Sequence, residues 1–151
     1  MEAANQLTER AMTNHELVSE FEEGRVPGAF HHVDHVRVAF AYVAEFPLAE
    51  AITRFSAALR RFATAQGKPN LYHETITWAY LFLIAERVAR ARRTQCWEEF
   101  AARNPDLLAW KGGVLERYYS KETLASEMAR RMFVLPDGGM ERLSDGEKPW
   151  G

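Results

Sequence analysis

The 151-residue chain has a single cysteine, Cys96, so no intramolecular disulfide and no thiolate metal cluster can form. Charge of one sign is also missing. The formal net charge is -2, which gives no electrostatic reason to expect nucleic acid or an anionic membrane as the main partner. Long apolar runs are absent too. The longest, residues 76–85, falls well short of the roughly 20 apolar residues that a membrane span requires. The first ten residues are polar and contain Glu2 and Glu9, unlike a secretory signal, so the expected location is the cytoplasm. No alternating strand pattern, internal repeat or interdomain linker is visible.

What remains is ordinary globular material, 47% hydrophobic and 26% charged. The length suits one domain with a real core. Helical periodicity dominates the pattern. Thr13 and Glu16 have capping-box spacing ahead of Leu17, Val18 and Phe21, and Gly24 stops that helix. A second helix is predicted over 31–46. Val36, Ala39, Val43 and Phe46 share a stripe with His32 and, at its edge, His35, while Asp34 and Arg37 fall on the outward side. Pro47 opens a third helix, whose stripe is Leu48, Ile52, Phe55, Leu59 and Phe62, ending near Gly67. A fourth helix over 71–90, capped by Asn70, is apolar nearly all round and is expected at the centre. Shorter helices follow, split at Asn104-Pro105 and Gly112-Gly113. The last is expected over 121–133, with Leu124, Met128 and Met132 inward. Residues 1–12 and 136–151 are expected to be flexible. The predicted fold is therefore a single-domain all-α bundle, with three long central helices and shorter covering ones.

Four of the five histidines fall in two short clusters at predicted helix starts: His31-His32-x-Asp34-His35 and Tyr72-His73-Glu74. Histidines at i,i+3 share a helix face, and a third ligand from a neighbouring helix would complete a metal site with an open position. The leading expectation is a metal-dependent enzyme of small-molecule metabolism. His32, His35 and His73 would bind the ion, and Glu74 would be a fourth ligand or a general base on bound water. Three imidazoles suit zinc or iron first, then nickel or copper, rather than magnesium or calcium.

Two other readings compete. In one, the histidines line a metal-free pocket that binds a small acidic or aromatic ligand. In the other they are structural, with His32 and His35 bonded to carbonyls and His73 merely capping its helix, and the aromatics of the C-terminal half form a homodimer face. Thr77 lies one turn from His73, but helical threonines more often bond their own backbone. The arginines at 87, 90, 92 and 93 are explained by a solvated helix end.

Residues 30–37 (FHHVDHVR) and 68–77 (KPNLYHETIT), with residues 117–133 containing Tyr118-Tyr119-Ser120, resemble a family of small uncharacterised bacterial all-helical proteins. The resemblance spans most of the chain. It implies that His32, Asp34, His35 and His73 belong to the family's pattern, that His31 varies, and that the fold is helical. That family has no established activity, so no mechanism comes with it. A looser similarity is to metal-binding helical bundles of the DinB and hemerythrin type, whose ligand spacing differs.

Overall fold

A computed structural model describes residues 12–26 and 30–138 of the chain. The expectations of flexible ends at 1–11 and 139–151 lie outside the described residues.

The first helix, α1 (Asn14–Glu22), begins where the sequence supplies both halves of a capping box. Glu16 N–H donates to Thr13 Oγ1 and Thr13 N–H donates to Glu16 Oε1, each at 3.0 Å. Its apolar face, Leu17, Val18 and Phe21, is buried. Gly24 ends it with φ 75, the left-handed conformation that a residue without Cβ adopts at little cost.

Helix α2 (His32–Glu45) starts as His31 N–H donates to Asp34 Oδ2 at 2.9 Å. It stops ahead of Pro47, which forces Phe46 into an extended conformation. Helix α3 (Leu48–Ala65) follows at once and buries Ala51, Phe55, Ala58 and Leu59, with Arg60 and Arg61 exposed, as its stripe predicts. Glu22 ties the far ends of these three helices together. Its carboxylate accepts from Tyr42 Oη at 3.1 Å and from Arg54 Nη2 at 2.8 Å.

Helix α4 (Glu74–Arg90) starts later than the sequence suggests. Pro69–Leu71 forms a 3-10 turn, Tyr72 and His73 are extended, and His73 rather than Asn70 is the cap. The chain then makes α5 (Trp97–Arg103), α6 (Pro105–Leu108), a 3-10 turn at Val114–Arg117, α7 (Lys121–Ala125) and α8 (Glu127–Arg131). The molecule is thus an all-α single domain: eight α-helices with no strand among the described residues, and one contiguous core. The three longest helices run up, down and up. The first turns of α2 and α4 therefore meet the last turns of α3 at one end of the bundle.

The packing corrects several expectations. Asp34 and Arg37 are buried, not outward. A helical wheel assumes one wet face, but α2 is wrapped by α1, α3, α4 and α6. Arg37 is satisfied internally, donating to Asn14 Oδ1 at 2.9 Å and to Met12 O at 3.3 Å while lying over the Trp97 ring.

The expected helix over 121–133 is broken at Ser126, which leaves helical geometry to cap α8 with its hydroxyl. The break turns Met128 and Met132 to solvent and buries Ala129 instead. Residues 133–138 form no regular element, yet they are laced to the bundle. Phe133 stacks on Trp78, Tyr119 Oη donates to Val134 O at 2.7 Å, and Asp137 accepts from Ser120 N and Thr123 Oγ1 at 2.8 and 2.6 Å.

Candidate functional site

At the end of the bundle where α2, α3 and α4 converge lies a cavity of about 450 Å3. That volume falls within the ~300–1,000 Å3 typical of small-molecule sites. Helix α2 contributes His32, His35, Val36 and Ala39; α3 contributes Phe55, Leu59, Phe62 and Ala63; the start of α4 contributes Tyr72, His73, Ile76, Thr77 and Tyr80. Phe30 and Trp110 close the sides. Among the described residues Lys68 is the one charged side chain on the wall apart from any protonated histidine, and it is exposed.

Histidine 73 is 8% exposed and fully committed to the fold. Its Nδ1 accepts from Ile76 N–H at 3.1 Å, capping α4, and its Nε2 pairs with Leu124 O at 2.8 Å. A carbonyl only accepts, so Nε2 carries the proton, and neither nitrogen has a lone pair left over. Burial, with the Arg130 charge as a smaller contribution, depresses the basicity of the ring. Thr77 donates to His73 O at 2.7 Å, the backbone bond expected of a helical threonine.

Histidine 32 is held in a similar way. Its Nε2–H donates to Leu107 O at 2.9 Å, which leaves Nδ1 as an acceptor. Its ring packs against Tyr80 and Trp110, with centroids 5.1 Å away in each case. Burial lowers its pKa against the opposing effect of the Leu107 bond.

Histidine 35 differs from both. Its ring makes no hydrogen bond to a described residue and lies 4.5 Å from Phe30. Burial, followed by the His32 charge, brings its pKa to about 4, so it faces the cavity neutral, with one donor and one acceptor free.

The structure therefore brings His32, His35 and His73 to one wall without making them a ligand set. A zinc site needs nitrogens converging at ~2.0–2.1 Å on one point. Among the described residues no group of three or more His, Cys, Asp or Glu side chains is placed to hold an ion. His73, with both ring nitrogens committed, has no lone pair to give one. Glu74 is also elsewhere: it is absent from the cavity wall, and its Oε1 accepts from Tyr72 Oη at 2.5 Å and Arg60 Nη2 at 3.1 Å. It locks the start of α4 against α3 and is not placed as a base on a bound water. The residues present do not fit the expected zinc or iron centre.

Two wall residues escaped the sequence reading of the site. Tyr80 lies seven residues after His73, on the face that His73, Ile76 and Thr77 share, so helical spacing alone would have found it. Its hydroxyl makes no hydrogen bond to a described residue, and burial, then the Asp106 charge, raises its pKa to about 12. Trp110, outside the histidine clusters, is the second. It is placed by a tight turn at Gly113, where a Cβ would stand 2.6 Å from Ala109 O and 3.0 Å from Trp110 O.

The other candidates are accounted for structurally. Arg87 makes a two-pronged bond to Asp106 at 2.7 and 2.8 Å, and Arg90 and Arg93 pair with Glu86 and Glu99. Cys96 is an exposed helix cap. Tyr118 and Tyr119 border a smaller groove of about 210 Å3 against Phe133. No helix among the described residues is long and apolar enough to cross a membrane. Comparison with protein-family models, curated proteins and solved structures finds no match to this chain.

Proposed function

We propose that the protein binds a small, ring-bearing, largely apolar molecule in the cavity between α2, α3 and α4, without a metal. One observation carries this reading. The cavity is walled by aromatic and aliphatic side chains, and His35 stands on that wall with its hydrogen-bonding capacity unspent. Apolar surface around a few convergent polar groups is the usual composition of a small-molecule site. The rings of Phe30, Phe62, Tyr72 and Trp110 favour a planar ligand, since stacked and edge-on aromatic contacts add about 0.5–1.5 kcal/mol each beyond area burial.

A metal-dependent reaction is the less favoured reading, because His73 spends both ring nitrogens, on Ile76 N–H and on Leu124 O. Calorimetric titration with naphthalene in the presence of a chelator tests the choice. Saturable binding that disappears in Ala63→Trp, which fills the cavity from α3, is the expected result. Binding that survives this substitution would place the ligand elsewhere. Binding that appears only after zinc or iron is restored would return the site to a metal.

A further inference from the structure

The wall offers an uneven set of polar groups. Among the described residues it has no carboxylate and no arginine, and its lysine, Lys68, is exposed. His32 Nδ1 is an acceptor with no partner among the described residues, because the proton of that ring is on Nε2 and goes to Leu107 O. The Tyr80 hydroxyl is a donor with no such partner, although the residue is only 7% exposed. The two rings meet edge to face at 5.1 Å and both line the cavity, so they stand at one corner of it, with Trp110 against the His32 ring. His35, one helical turn on from His32, adds one further donor and one acceptor. Among the described residues, His32 Nδ1, the His35 ring nitrogens and the Tyr80 oxygen have no hydrogen-bond partner, yet they are not among the unpartnered atoms cut off from solvent, which are Asp34 Oδ1, Ser56 Oγ and Trp78 Nε1, so each keeps some open surface.

Such a corner is complementary to an uncharged hydroxyl on an aromatic ring. The hydroxyl donates its proton to a histidine nitrogen and accepts the proton of Tyr80. An aromatic carboxylate satisfies the donor but leaves the acceptors unanswered and loses its hydration among apolar side chains. A plain hydrocarbon ring leaves both unanswered. We propose that the cavity selects phenol-like ligands, recognising the neutral hydroxyl through His32, His35 and Tyr80. This rests on the cavity being a ligand site, and it adds the chemical class of the ligand.

The test compares naphthalene, 2-naphthol and 2-naphthoate by calorimetric titration at neutral pH, with Tyr80→Phe as the probe variant and circular dichroism as the check on its folding. The expected order is 2-naphthol over naphthalene by at least about tenfold, the worth of one well-made hydrogen bond in a dry site, with 2-naphthoate weakest. Tyr80→Phe, folded, is expected to narrow the naphthol preference to within about threefold. His35→Leu provides a second variant should Tyr80→Phe not fold, with the same expected narrowing. Equal affinity for naphthol and naphthalene would overturn this selectivity while leaving the apolar ligand site standing. Preference for 2-naphthoate would overturn it in favour of anion capture by Lys68. Failure of all three to bind would overturn both the selectivity and the site.

Discussion

Replacing His73 by alanine removes two interactions whose size can be worked out separately. Loss of the bond from Ile76 N–H uncaps α4, which costs ~0.5–2 kcal/mol. Loss of the bond to Leu124 strands a carbonyl in the groove between α4 and α7, which costs a further ~1–3 kcal/mol. The sum is about 1.5–5 kcal/mol, and for a domain of this size that lowers the melting temperature by about 3–20 °C. Asparagine keeps a capping oxygen but is too short to reach Leu124, so His73→Asn should lose roughly half as much. Urea and thermal unfolding followed by circular dichroism, with and without chelator, measure both variants. A loss under ~1 kcal/mol for His73→Ala would refute the structural role. So would a chelator that destabilises the wild type as much as the mutation does, because His73 would then act through an ion.

Acid should destabilise the protein in a defined window. His32, His35 and His73 all have folded pKa values below their ordinary value of 6.5 because burial disfavours the charged ring. Stability is therefore complete above about pH 6.5 and falls as pH drops towards the folded values, about 4 for His35, which alone accounts for about 3 kcal/mol. A melting temperature that stays flat from pH 7 to 5 would contradict this. Leu59→Ala should cost ~2–5 kcal/mol in chemical denaturation, since that side chain is buried between α3 and the cavity. Gly113→Ala should displace Trp110, read as a shift in its fluorescence and a weaker affinity for ring ligands, because the added Cβ meets backbone oxygens at 2.6 and 3.0 Å. Asp137→Ala should loosen residues 133–138 and raise their amide exchange, as it removes the acceptors of Ser120 and Thr123.

Most of the helical skeleton was legible in the chain because its signals are local. Thr13 with Glu16, the break at Pro47 and the stripe from Phe55 to Leu59 each involve residues within a few turns of one another. The misreadings share the opposite property. Arg37 looks solvated until Asn14, 23 residues away, is seen to receive it. The histidine spacing revealed which rings share a wall, but not what faces them. Leu124, 51 residues from His73, completed the conversion of one expected ligand into a fold contact, while Leu107, 75 residues from His32, took one nitrogen of that ring and left the other free. Ser126 was hidden differently, since a serine within an apolar repeat continues a helix or restarts one, and only the packing of Ala129 decides. The structural alternatives for His32 and His73, a carbonyl bond and a helix cap, are what the fold adopts. For His35, no hydrogen bond to a described carbonyl takes that place.

The central claim is that a ring-bearing ligand enters this cavity without a metal. Proton–nitrogen correlation spectra of chelator-treated protein, recorded as naphthalene is added, address it most directly. The indole resonance of Trp110, on the cavity wall, should move in a saturable way, while that of Trp97, packed against Phe40 and Phe100 on the other side of α2, should stay in place. Spectra that do not change, or change at Trp97 and not at Trp110, would contradict the account.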